Sequence, residues 1–175
     1  CLNDQLEITE YDVVHTSRKQ IDITNFEATK NKFLDISPDI VINATAYTAV
    51  DKAEKDCKTA DLINHLAVAY IAKICNQLGC WLIHISTDYV FDGNSEIPYN
   101  EENLTNPQNV YGKTKLKGEQ AIQSSGCKHI IIRTSWIFSE YRNNFLKTMI
   151  TLGAERKQLD IVNDQIGCPT YAQDI

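Results

Sequence analysis

Three short apolar runs, set between longer stretches with helical spacing, constrain this chain more than any other feature. They are DIVINATA at 39–46, WLIHIS at 81–86 and HIIIRT at 129–134. The first is apolar on both faces, the pattern of a strand inside a parallel sheet. Between the runs, residues 59–78 place Leu62, Leu66, Ala69 and Lys73 at helical spacing, with Ile63, Tyr70 and Ile74 alongside, and Gly79 is a natural stop. Residues 110–124 form a second helix with Leu116, Ala121 and Ile122 on one face. Phe26, Phe33, Leu34 and Ile36 predict an amphipathic helix over 25–36, and residues 144–152 predict another, stopped by Gly153. Short strands are expected at 11–15 and 159–162, and a loop at 92–106. Strand–helix alternation at this spacing means βαβ units, hence an α/β fold with a doubly wound parallel sheet. Ligands of such sheets bind beyond the carboxyl ends of the strands.

Composition excludes several classes. With 17 basic against 23 acidic residues the formal charge is −6, and no basic tail points to nucleic acid. Hydrophobic residues make up 43% and charged residues 23%, a globular balance. No apolar run approaches the ~18 residues of a membrane helix, and no charged segment followed by an apolar one marks a secretory signal. The expected setting is cytoplasmic, with no membrane partner. The six cysteines, Cys1, Cys57, Cys75, Cys80, Cys127 and Cys168, show neither C-x-x-C spacing nor a histidine at a zinc-site interval. They read as thiols of a reducing compartment, and no metal ligand set is visible.

Four strand ends carry candidate chemistry. After the first run, Ala44, Thr45, Ala46, Tyr47 and Thr48 are mostly small residues that let a flat ligand lie close to the backbone; tight helix–strand packing is the other reading. After the second come Ser86, Thr87 and Asp88. Two hydroxyls and a carboxylate at the end of a buried strand are costly without partners, so they either cap a turn or bond a substrate oxygen. Tyr111 and Lys115 are i and i+4 at the start of a helix and share one face. An ammonium beside a phenol favours phenolate and lowers its pKa from ~10, which gives an acid–base group for neutral pH. Trp136, past the third run, is either core or an apolar wall for a sugar or base. Lys113 and Lys117 read as solvated.

Taken together and in order, NATAYTAVDKAE at 43–54, STDYVFDG at 86–93, NVYGKTKLKGE at 109–119, RTSW at 133–136 and DQIGCPT at 164–170 resemble the dTDP-4-dehydrorhamnose reductases, extended short-chain dehydrogenases/reductases with a Rossmann-like fold. The resemblance runs from about Asp22 to the end. It implies reduction of a dTDP-4-keto-sugar by NADPH or NADH, for cell-surface polysaccharide. Tyr111 would protonate the C4 alkoxide, Lys115 would hold the nicotinamide ribose and tune Tyr111, and Thr87 would bond the substrate carbonyl. Asp22 and Ile23 match the segment near the adenine, Ala44 to Thr48 the wall along phosphates and riboses, and Ser86 lies beside the nicotinamide. Trp136 matches a residue packing on the deoxysugar, and Asn144 and Gln165 fall in blocks near the nucleotide-sugar. Asp88 either touches substrate or caps a turn.

The resemblance also carries departures. The family opens with a strand and a G-x-x-G-x-x-G loop that cradles pyrophosphate, and this chain has neither. It opens on Cys1 and holds 7 glycines in 175 residues, little more than half the usual share of roughly 7%. Residues 1–155 are expected to be an N-terminally incomplete cofactor domain, and 156–175 the threshold of a smaller substrate domain that is mostly absent. Some members dimerise, and some use Mg²⁺ at a subunit interface. NADPH against NADH stays open, since Arg18 and Lys19 either meet a 2′-phosphate or are solvated. The competing readings are another nucleotide-sugar epimerase or reductase, and a non-catalytic NADP-binding regulatory subunit.

Overall fold

The computed structural model describes Leu6 and residues 10–175. The chain divides into two compact units, Thr16–Arg133 and a second made of Thr134–Ile175 with the stretch up to His15.

In the larger unit the order is α1 (Phe26–Ile36), β1 (Ile40–Asn43), α2 (Val50–Ala53), α3 (Cys57–Asp61), a π-helical turn (Leu62–Leu66), α4 (Ala67–Leu78), β2 (Trp81–Thr87), a 3₁₀ turn (Asp88–Val90), α5 (Val110–Ser124) and β3 (Lys128–Thr134). The strands form one sheet in the order β1-β2-β3. β1 and β2 run parallel, with Ile40 beside Trp81 and Asn43 beside His84. The expected α/β class with a parallel sheet is therefore present.

Local chemistry explains the boundaries. Asn25 caps α1 through the Ala28 amide (3.1 Å), and Asn109 caps α5 through the Gly112 amide (2.7 Å). α4 closes on Gly79, whose φ of +73° is the left-handed geometry that glycine adopts freely. Burial alternates along β2: Leu82, His84 and Ser86 are buried on the face that packs against the helices. Phe33 of α1, Val68, Ile71, Ile74 and Cys75 of α4, Leu82 of β2 and Ile122 of α5 build the core there. On the other face Ile40, Ile42, Trp81 and Ile130 are exposed among the described residues.

The helix expected over 59–78 starts two residues earlier and widens into the π turn. A close crossing lies at that turn. A Cβ on Gly118 of α5 would lie 2.3 Å from the carbonyl oxygen of Asn64, inside that turn. Only a glycine lets the widened turn and α5 touch backbone to side-chain-free backbone.

Two expected strands are absent. Residues 11–15 carry no strand pairing, and Tyr11 and Val14 are exposed. A strand needs a partner for its backbone groups, and no described strand pairs with this segment. Residues 159–162 are likewise unpaired.

In the second unit, parallel pairing occurs between β4 (Ile137–Phe138) and β5 (Thr170–Tyr171), which the apolar pattern did not reveal because each has two residues. Its helix α6 (Phe145–Glu155) runs through Gly153 rather than stopping there. Gly153 keeps helical backbone, and nothing forces a left-handed residue at that point.

Cys75, Cys80 and Cys127 are buried and Cys57 and Cys168 exposed, all free. Burial pushes the Cys75 thiol well above its ordinary value. No helix among the described residues is long and apolar enough to cross a membrane.

Candidate active site

The carboxyl end of β2 and the first turn of α5 meet within the larger unit. Gly112 makes the approach possible: a Cβ there would lie 2.1 Å from the carbonyl oxygen of Tyr89. With that clearance the Tyr111 ring packs edge-on against Tyr89, centroids 5.6 Å apart, and its hydroxyl faces the Thr87 side chain closely enough for Thr87 to favour the phenolate. Glu54 adds a second restraint by accepting from the Val110 amide (2.8 Å) at the open end of α5. Gly112→Ala must push α5 off the turn. The expected cost is about 1–3 kcal/mol, together with displacement of Tyr111 from Thr87. A lowered urea midpoint with weakened activity checks it; wild-type values for both would show that the turn yields freely.

Tyr111 is 9% exposed and Lys115 1% exposed. Thr87 donates to Asp88 Oδ1 (3.1 Å) and accepts from the Tyr89 amide (3.3 Å). Asp88 is half-buried, and that burial raises its carboxyl pKa. The 3₁₀ turn is capped by Thr87 rather than by Asp88, whose carboxylate accepts from Thr87 at the strand end.

The electrostatics differ from the sequence expectation in one respect. The Tyr111 pKa is raised, not lowered: burial dominates, Thr87 opposes it, and Asp88 and Tyr89 add to the rise. Lys115 does not offset this because its Nζ is engaged elsewhere. It donates to the Ile85 carbonyl (2.6 Å) and lies 3.3 Å from His84 Nε2. Burial lowers the Lys115 pKa to about 8, against the pull of Glu119. His84 is lowered to about 3, by burial first and Lys115 second.

Ser86 is buried at the same strand end, but its hydroxyl donates to the Glu119 carboxylate. Glu119 also receives Arg133 Nη2 at 2.7 Å and Nε at 3.1 Å. That hydroxyl is a structural clamp, and any contact with a ligand falls to the rest of the residue.

Ala44, Thr45 and Thr48 are exposed and Ala46 and Tyr47 half-buried beyond the carboxyl end of β1. Asn64 pins this segment. Its Oδ1 accepts from the Tyr47 amide (2.8 Å), and its Nδ2 donates to the Tyr47 carbonyl (3.1 Å) and to Thr114 Oγ1 (3.2 Å). Asp22 accepts from the Thr24 amide (3.0 Å) and hydroxyl (2.6 Å), which hold its carboxyl below the usual value. Ile23 packs against the core edge.

The remaining candidates belong to the second unit. Trp136 adopts φ +47° and is 44% exposed, its ring against Gly167, where a Cβ would meet Cε2 at 2.6 Å. Asn144 is spent on capping α6: it accepts from the Lys147 amide (3.0 Å) and donates to the Ser139 carbonyl (2.6 Å). Gln165 is exposed. No three His, Cys, Asp or Glu side chains converge on a metal position among the described residues.

Four polar residues of this site carried no assigned role in the sequence reading: Asn43, Asn64, His84 and Glu119. For Asn43, Asn64 and His84 the signal is a polar side chain in an otherwise apolar run, as in WLIHIS; Glu119 stands in a polar stretch and carries no such signal.

Comparison with known proteins agrees with this geometry. The family described as RmlD substrate binding domain matches residues 1–175. The dTDP-4-dehydrorhamnose reductase of Escherichia coli strain K12 is 49% identical over 160 residues, 91% of this chain and 54% of that protein. The crystal structure of dTDP-4-dehydrorhamnose reductase from Bacillus anthracis in complex with NADP superposes with a TM-score of 0.94 at 42% identity, over 99% of this chain and 63% of that one. The Clostridium acetobutylicum enzyme of the same name gives 0.94 at 40% identity, over 97% and 60%. The chain spans about half the length of the curated relatives it matches.

Proposed function

The chain belongs to the RmlD substrate binding domain family, and from that premise we propose that it forms the catalytic part of a reductase that converts the 4-keto group of dTDP-4-dehydro-L-rhamnose to an alcohol with NADPH or NADH. The observation that carries the reading is the Thr87–Tyr111–Lys115 set at the carboxyl end of β2.

The donor set fits a nicotinamide nucleotide. Small residues at 44–48 leave an open backbone wall beside the strand end. Lys115 brings N–H groups to the same end, where ribose hydroxyls can accept them. When bound, the dihydronicotinamide supplies a hydride to the sugar carbonyl carbon. Everything else is the work of this chain. Tyr111, held protonated by burial, gives its proton to the developing alkoxide, which is far more basic than a phenolate. A raised pKa suits this direction, because the acid form is the one the reduction consumes. Thr87 orients the phenol and offers its hydroxyl to the carbonyl oxygen. The Lys115 ammonium steadies the ribose and the phenolate left behind. Asp22 and Ile23 suit the adenine end. By the resemblance Trp136 and Gln165 are proposed for the sugar side, while the Asn144 amide is committed to capping α6.

The test is NADPH oxidation by the full-length protein with dTDP-4-dehydro-L-rhamnose. One cofactor consumed per sugar reduced is expected. Sugar conversion with no net cofactor consumption would replace this reading with an epimerase. Tight NADPH binding without conversion of any keto-sugar would replace it with a regulatory subunit.

A further inference from the structure

We propose that Asn43 and His84 are positioning residues for Lys115: together they lock the His84 imidazole as the Nε2–H tautomer, so that a fixed donor faces the lysine nitrogen and sets its direction and protonation. The proposal rests on the reading of Lys115 as the ribose- and tyrosine-directed cation.

The chain of bonds has one consistent direction. The Thr45 backbone amide donates to Asn43 Oδ1 (3.0 Å), as does the Thr45 hydroxyl (2.7 Å). A backbone N–H can only donate, so the atom facing it must be the amide oxygen. Asn43 Nδ2 is therefore the atom at 3.1 Å from His84 Nδ1, and Nδ1 must accept. The two side chains sit at paired positions of β1 and β2, both buried. His84 stays neutral well below pH 6, because it has no exposed surface and a lysine beside it. In a neutral imidazole whose Nδ1 accepts, Nε2 carries the proton.

That N–H points at Lys115 Nζ, 3.3 Å away. An ammonium has only donors, so donor meets donor. The charged lysine is turned from His84 toward the Ile85 carbonyl (2.6 Å) and the strand end. The neutral amine, by contrast, accepts from Nε2–H. His84 thus favours the uncharged form and adds to the effect of burial, which already lowers Lys115 to about 8. The groups that act on Lys115 are His84 and Ile85 from β2 and Glu119, one turn along α5. Asn43 of β1 acts only through His84. Glu119 is the one that favours the charge, and it is neutralised in turn by Arg133.

Asn43→Asp tests the proposal. The Thr45 amide keeps its acceptor, while the second carboxylate oxygen requires a proton on Nδ1. The tautomer must reverse, and Nε2 becomes an acceptor for the ammonium. In the full-length wild-type protein, nitrogen NMR of His84 is expected to show an unprotonated Nδ1 and a protonated Nε2 from pH 6 to 9. In Asn43→Asp the two should exchange, and the Lys115 side chain, followed by its ε-carbon shift, should bind its proton about tenfold more tightly. The alkaline limb of the kcat/KM profile should move with it. Introduced into His84→Leu, Asn43→Asp should move Lys115 far less, because the imidazole transmits the change. A protonated Nδ1 in the wild type overturns the proposal without any variant. So does an undiminished Lys115 shift in the His84→Leu background, since the carboxylate would then act through space. These signals are read without turnover, so a failure to reduce keto-sugars would sink the functional reading and leave them standing.

Discussion

Tyr111→Phe is expected to lower kcat for keto-sugar reduction by a factor of ~10²–10⁴, with little change in NADPH affinity. The substitution removes one oxygen from a ring that packs on Tyr89 and is 9% exposed, so the fold keeps its contacts. What disappears is the phenolic proton beside Thr87. The pH dependence follows from the shifts. Burial holds Tyr111 protonated through the neutral range and beyond. Lys115, lowered from 10.5 to about 8, is charged below that pH and neutral above it. Wild-type kcat/KM should therefore fall above pH 8 as the ammonium is lost, before the phenol titrates. Steady-state rates from pH 6 to 10, with fluorescence titration of NADPH, check both parts. A Phe variant with near wild-type kcat would remove Tyr111 from the chemistry. A flat profile from pH 7 to 9.5 would mean that the charge of Lys115 is not used.

The frame and the reacting groups were legible in the sequence for a shared reason. β1, β2 and β3 are continuous apolar runs, and α5 repeats at helical spacing; both patterns are local. Tyr111 and Lys115 are legible as a pair because i and i+4 is a local relation as well. The direction of the tyrosine shift was not, since it depends on where Lys115 Nζ points, and the Ile85 carbonyl that holds it is 30 residues away. The same limit hid Asn64, which ties the 44–48 segment to α5 across 17 and 50 residues. It hid the π turn too, which packs its Asn64 carbonyl against Gly118, 54 positions along the chain. The strands misjudged at 11–15 and 159–162 have suitable residues but no partner strand, and pairing is a property of two segments. The pair β4–β5 is the converse: two residues each are too few to show a period, and their register is set by tertiary contact.

Glu119→Ala should be the most destabilising single change in the larger unit, by about 3–5 kcal/mol. The carboxylate is 1% exposed and accepts from Ser86 and from Arg133 through two nitrogens. Its removal strands a guanidinium that is 21% exposed and stacked 5.1 Å above the Phe91 ring. It also frees the Ser86 hydroxyl, one residue before Thr87. Against a total stability of roughly 5–15 kcal/mol, a loss of that size removes a large part of the margin. The cost lies in the uncompensated charge more than in the lost attraction. Replacing both partners, as in Glu119→Leu with Arg133→Met, should therefore recover most of the loss. Urea midpoints of the single and double variants measure the difference. If the double variant is as unstable as Glu119→Ala, the bond to Ser86 is the main term, and the clamp on the end of β2 is what the protein cannot lose. If the double variant recovers stability but not activity, the ion pair serves to aim β2 rather than to hold the fold, because Ser86 would then be free to shift Thr87 away from Tyr111.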